Sequence, residues 1–241
     1  SEMCIRDGRY PFWHDHGLTI RDCELTDQCR AALWYSDHIT IEDTKLHGIK
    51  ALRECGDAVL RNCDIISPEF GWNSHRVTIE DCTAQSEYFM MRGTELHFRN
   101  VTFHGKYSFQ YIENSLFEHC SFDTKDAFWH AKNVVVRNCT VKGEYLACYC
   151  ENVTFDHCTI IGTQPLCYCK GLKLIDCQMV DCDLAFEHSE VWATVSTPVA
   201  SIKNPLAGSH ITVPEVRTII RDIPEATGEI VVTDKSQTVC A

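Results

Sequence analysis

Apolar positions along this chain fall into one recurring ten-residue phrase. It reads "LTIRDCELTD" from Leu18, "AVLRNCDIIS" from Ala58, "VTIEDCTAQS" from Val77, "VVVRNCTVKG" from Val134 and "VTFDHCTIIG" from Val153. The first, third and eighth residues are mostly apolar, the fourth is usually charged, and the fifth is Asp, Asn or His. Alternation on either side of a polar pair describes strand, corner, strand. Blocks begin at Leu18, Ile39, Ala58, Val77, Leu96, Ser115, Val134, Val153 and Leu172, so one step of 21 residues is followed by steps of 19. A fixed interval of this size marks a solenoid. Several short strands per turn with Gly or Asn at the corners predict an all-β parallel β-helix of about nine coils. The spaced leucines of leucine-rich repeats and the five-residue period of pentapeptide repeats are both absent.

The fourth position checks this register. It runs Arg21, Glu42, Arg61, Glu80, Arg99, Glu118, Arg137, Asp156, changing sign at every step. Opposite charges suit neighbouring rungs about 4.8 Å apart, and like charges do not. Regular coils are therefore expected over residues 18–190, with a first coil near 8–17. Residues 191–241 read as a C-terminal capping tail, with a short helix in "VPEVRTIIRDI" opening near Pro214 and a final strand in "GEIVVTD".

The chain holds 16 cysteines in 241 residues. Cys23, Cys63, Cys82, Cys120, Cys139, Cys158 and Cys177 share the sixth position, with Thr44 and Val101 as exceptions. A small polarizable side chain suits a narrow interior just past a corner. These residues read as a column of reduced, metal-free thiols. Serine at Cys139 is expected to cost about 1 to 3 kcal/mol for want of an assured partner. "LACYCEN" and "PLCYCKG" place Cys148 and Cys150 one coil below Cys167 and Cys169. A flat rectangle of about 4.8 by 6.6 Å is too wide for tetrahedral zinc, so these four are also read as inward thiols.

If those cysteines point inward, alternate residues point out. The outward column is Tyr35, Glu54, Asn73, Arg92, Tyr111, His130, Tyr149, Tyr168 and Glu187. A second column four residues earlier holds Lys50, Glu69, Tyr88, Tyr107, Asp126, Tyr145, Gln164 and Asp183. Aromatic rings interleaved with acids, His and Arg on one face suit sugars, through ring stacking and hydrogen bonds to hydroxyls. For chemistry, His130 is the candidate acid or base, Asp126 or Glu187 its carboxylate partner, and Arg92 an anion clamp. Tyr111, Tyr149, Tyr168, Tyr145, Gln164 and Asp183 are the candidate substrate-binding residues. Asp183 and Glu187, four residues apart on one strand, would sit about 13 Å apart, too far for a glycosidase pair.

Net charge is −12 at pH 7, with 22 Lys and Arg against 34 Asp and Glu. That balance argues against nucleic acid, which needs cations to displace phosphate counterions. No apolar run approaches the roughly 18 residues of a spanning helix. The start, "SEMCIRDGRY", lacks the apolar run of a secretory leader, so a cytoplasmic location is expected. No cofactor and no membrane partner are expected.

The coil period, with "KDAFW", "GEYL", "QPLCYCKGL", "DLAFEHSEV" and "SIKNPLAGSHI", resembles an uncharacterised bacterial family of single-stranded right-handed parallel β-helix proteins in the pectin-lyase-like superfamily. The likeness covers nearly the whole chain, and "QPLCYCKGL" followed by "DLAFE" is its most specific part. It implies a right-handed helix and a carbohydrate or acidic sugar as ligand class. The Gly-His-Gly and Arg-Ile-Lys motifs of polygalacturonase-like hydrolases are absent. The clustered carboxylates that a pectate lyase needs for calcium are incomplete, although Arg92 has the residue type of its base. Two function classes stay open: a carbohydrate-active hydrolase or lyase, and a non-catalytic binding or oligomerisation scaffold that pairs through the exposed face.

Overall fold

A computed structural model describes residues 4–234. Every strand pairing in it is parallel, and none of the described residues is helical. No described segment is thus a helix long and apolar enough to cross a membrane. The chain winds as a parallel β-helix of about twelve turns. Its longest sheet takes one rung per coil, from Thr19–Arg21 and Asp37–Glu42 through Lys132–Arg137 to Glu229–Val232. Register is strict through the middle: Val77 pairs Leu96, Ser115 pairs Val134 and Val134 pairs Val153, each one 19-residue step away. The alternating charges form a continuous zipper on this sheet. Arg61 bridges Glu42 and Glu80 at 3.6 and 2.9 Å, and Arg137 bridges Glu118 and Asp156 at 3.3 and 3.0 Å. Their arginines are largely exposed, so the zipper contributes to register more than to stability.

The helix is longer than the nine coils expected. Residues from Val191 onward add rungs rather than a separate tail: Trp192 pairs Lys173, His210 pairs Trp192, and Glu229 pairs His210. Steps here shorten to 18 residues between Trp192 and His210 and to 17 between Val199 and Val216. The segment expected to be helical instead contains the strand Val216–Ile220, paired with Val199–Lys203. Its β-branched residues suit a pleated surface, and a neighbouring rung supplies the hydrogen bonds an isolated helix turn would have to make itself. "GEIVVTD" contains the strand Glu229–Val232, and the last residues of the expected tail, 235–241, lie outside the described residues.

The interior is a stack of rings and thiols. Phe89, Phe103, Phe109, Phe117, Phe122 and Phe128 are fully buried, with Phe89 and Phe103 stacked at 4.5 Å and Phe109 and Phe128 at 5.0 Å. At the corner, the cysteine column does more than fill space. Cys139 donates its thiol hydrogen to the carbonyl of Arg137 two residues back, at 3.1 Å, and accepts the amide of Cys120 at 3.2 Å. Thr44 makes the same two bonds, to the Glu42 carbonyl and from the Cys23 amide. A second corner repeats the device: Ser189 accepts the Cys169 amide at 2.9 Å, and Ser74 accepts that of Cys55 at 3.2 Å. Corners leave one amide and one carbonyl over, and a short side chain that both donates and accepts satisfies them. Serine at Cys139 would therefore find partners, which removes the reason for the large cost expected above. Burial pushes the thiols of Cys55 and Cys182 up to about 11 and about 12, so they stay neutral.

The third face departs most from expectation. Strand pairs occur there in the early coils, such as Leu33–Trp34 with Leu52–Arg53 and Glu69–Phe70 with Tyr88–Phe89, and again in the last, where Val199–Lys203 pairs Val216–Ile220. Central coils turn through alternate left-handed residues instead: Asp126, Phe128 and His130 at φ 53, 61 and 57°, then Tyr145, Ala147 and Tyr149 at 55, 52 and 61°. Left-handed residues break the two-residue side-chain alternation of a strand, and the candidate site lies on this face.

Candidate functional site

A ladder of side chains runs up the third face. Arg92 lies over the Tyr111 ring at 5.0 Å, Tyr111 stacks on His130 at 4.7 Å, His130 on Tyr149 at 5.0 Å, and Tyr149 on Tyr168 at 5.1 Å. Interplanar angles of 7, 9 and 11° at these separations mean that the rings overlap face to face. The coil pitch sets this spacing, and left-handed φ at every rung throws each side chain outward. A sugar cannot stack on a face already covered by its neighbour. The ladder offers edges: phenol hydroxyls, an imidazole rim and a guanidinium.

Glu187 does not continue this column. One extra residue before it moves the register, so the Tyr168 amide bonds to the Glu187 carbonyl, and His188 takes the ladder place at 5.4 Å from the Tyr168 ring. Glu187 falls in the neighbouring row with Trp129, Cys148 and Cys167. Lys203 binds its carboxylate at 2.8 Å, and the Gln164 amide reaches it at 3.5 Å. Its charge raises the Tyr168 pKa, keeping that phenol protonated and able to donate.

The same row corrects the reading of the cysteines. In earlier coils it carries Trp34, Arg53 and Trp72, with the Arg53 guanidinium 5.8 and 4.9 Å from the two indoles. Later it carries Trp129, Cys148 and Cys167. Cys150 and Cys169 join the apolar core, but Cys148 and Cys167 form the floor of a groove. Small residues in a row of large ones leave this hollow of about 270 Å³, walled by Trp129, Tyr145, Tyr149, Gln164, Tyr168 and Glu187. Trp129 anchors it by donating to the Tyr145 carbonyl at 2.6 Å.

A second groove, of about 510 Å³, lies further down the rod beside Arg92. Asn73, Thr94, Tyr111, Glu113, His130 and Lys132 complete it. The exposed arginines Arg21, Arg61, Arg76, Arg99 and Arg137 each hold a carboxylate within 4.0 Å, whereas Arg92 forms no ion pair among the described residues.

The candidate catalytic groups are not assembled. No hydrogen bond or ion pair joins His130 to Asp126 or Glu187 among the described residues. Asp126 sits with Tyr145 and Gln164 in the second column, one carboxylate oxygen buried without a partner, and burial raises its pKa. Asp183 accepts a hydrogen bond from Thr163.

A family model described as "Protein of unknown function (DUF3737)" matches residues 1–232. The chain belongs to that family. No curated protein matches it. The grooves of this DUF3737 chain must therefore be read from their own chemistry. Outside them, sequence reasoning missed one cluster. His16, Asp37 and His38 bring three ligand-type atoms within 4.8 Å of one another at the start of the DUF3737 helix. His16 and Asp37 are 21 residues apart, so a search at 19 does not align them.

Proposed function

We propose that this protein is a binding module for an acidic saccharide, held in the groove beside Arg92 without being processed there. The observation that carries the reading is Arg92 itself, an exposed guanidinium preset by stacking on Tyr111 and left without a carboxylate partner. Such a cation takes a sugar carboxylate in paired hydrogen bonds, each worth at most roughly 1.5 to 3 kcal/mol net. Asn73, Thr94 and the Tyr111 and His130 edges suit hydroxyls, and Lys132, shared with Glu151 at 3.4 Å, adds a second positive centre. The likeness to pectin-lyase-like β-helices supports a saccharide. Binding is favoured over processing because no acid and base converge on one point.

The test is calorimetry with uronate-containing and matched neutral oligosaccharides, alongside product analysis. Uronate oligomers should bind intact, and Arg92→Gln should weaken them at least tenfold while neutral sugars stay weak throughout. Equal binding of neutral sugars, indifference to Arg92→Gln, or release of shorter products would overturn the reading.

A further inference from the structure

The first two coils meet at a cluster that the saccharide groove does not use. His16 and Asp37 are backbone partners: the Gly17 amide donates to the Asp37 carbonyl at 3.1 Å, and the Asp37 amide to the Asp15 carbonyl at 3.0 Å. Their side chains consequently rise on the same side, one above the other. His38, as the next residue in an extended strand, would point the opposite way. Its φ of 53° turns it back instead, and its ring comes within 4.6 Å of the His16 ring. Both Nδ1 atoms then face one oxygen, Asp37 Oδ1, with His38 at 3.0 Å.

We propose that His16, Asp37 and His38 form a divalent-metal site that clamps the first coil to the second. Two imidazoles and a carboxylate are the donor set of zinc, cobalt and nickel, whereas magnesium and calcium take oxygen ligands throughout. Ligand atoms bound about 2.1 Å from one ion lie about 3.3 Å apart, and those here lie within 4.8 Å of one another, so small shifts of exposed side chains would admit it. All three side chains are at least half exposed, which leaves water to complete the coordination.

The neighbouring groups are already engaged. Asp57, the residue above His38 in its row, is held by two Arg76 bonds at 2.6 and 2.9 Å. His75 packs over Gly56, where any side chain would meet its Nε2 at 2.5 Å. Further up, the His38 row becomes an amide ladder of Asn114, Asn133 and Asn152. Only at its base does this row place imidazole beside imidazole and carboxylate.

A clamp suits this end of the rod. The first coil is held by the short strands Cys4–Arg6 and Phe12–Trp13, with ring contacts such as His14 on Tyr35 at 5.1 Å. The other end has its own fastening, since Arg221 donates to the carbonyls of Ala226 and Gly228. An ion bound only by the folded form would lower the population of opened first coils by mass action.

The experiment titrates the reduced full chain with Co²⁺ and Zn²⁺. One equivalent of Co²⁺ should bind with visible d–d bands and no thiolate charge-transfer band. Zn²⁺ should raise the melting temperature and slow amide exchange in residues 7–20. His16→Asn and His38→Asn, the latter chosen because Asn tolerates left-handed φ, should each weaken binding at least tenfold, while His104→Asn leaves it unchanged. If a variant fails to fold, zinc protection of His16 and His38 from carbethoxylation in the wild-type chain serves instead. Undiminished binding in the folded variants, a sulfur charge-transfer band, or no protection of either histidine would overturn the proposal.

Discussion

The cysteine column inside the rod and the ladder outside it share one period, yet they tolerate change differently. Along the inner column Cys139 and Thr44 make the same pair of backbone bonds, and at the second corner Ser189 does so while Ser74 accepts the matching amide. Identity varies there while the task stays constant, save at Val101, whose side chain only fills space. On the third face the row through Trp34, Arg53, Trp72, Trp129, Cys148 and Cys167 keeps its place while its chemistry drifts from aromatic and cationic to thiol. Interchangeable residues mark a requirement of the backbone. Residues whose character changes with height mark where the rod differs from coil to coil, and both grooves lie there.

The contrast breaks most visibly under truncation. Phe109→Ala should destabilise by about 3 to 5 kcal/mol in urea unfolding, because the ring is fully buried among six other phenylalanines. Tyr149→Ala, its exposed counterpart, should cost about 1 kcal/mol or less. Equal losses would mean that the ladder is structural.

The inner column itself is sharpened by comparing two replacements of Cys139. Alanine leaves the Cys120 amide without its acceptor and should cost about 1 to 3 kcal/mol, whereas serine keeps both bonds and should cost under about 1 kcal/mol. If serine is the worse of the two, the corner is a packing site and the bonding account fails.

The smallest effect belongs to the exposed pair Asp57 and Arg76. Hydrogen bonds from Arg76 hold the Asp57 carboxyl down to about 2. Its folded value lies below the unfolded one of about 3.9, so the pair's contribution is complete above about pH 4. It is lost as pH falls through about 2. Arg76→Gln should flatten the stability profile between those limits, lowering stability slightly at neutral pH and leaving it unchanged below about pH 2, as acid titration of unfolding would show.

Much of the fold was legible because its rules act at one spacing. Apolar alternation, the charge zipper and the cysteine column all repeat at 19 residues, and each fixes register independently. Beyond Val191 two steps shorten to 18 and 17, the cysteine column stops, and "VPEVRTIIRDI" loses the phrase that would have shown it to be a rung. The outward direction of Arg92, Tyr111, Tyr149 and Tyr168 was read correctly, as was the burial of Cys148 and Cys167, but not their place beneath a groove. Left-handed residues on that face are Phe128, Ala147 and Leu166 as well as polar ones, and only glycine or asparagine would have announced such φ values. The single-residue insertion that exchanges Glu187 for His188 is likewise invisible until the amide of Tyr168 is seen to choose its carbonyl.

The charge zipper also limits how such a rod can change length over generations. Each coil is a self-similar unit, so deleting one and rejoining its neighbours leaves strand pairing intact. Removing the coil that carries Glu118, however, would set Arg99 directly beside Arg137, and every excision of a single middle coil creates a like-charge contact of this kind. Removing two adjacent coils restores the alternation. The rod folds in steps of one coil, but lineages should gain and lose coils in pairs.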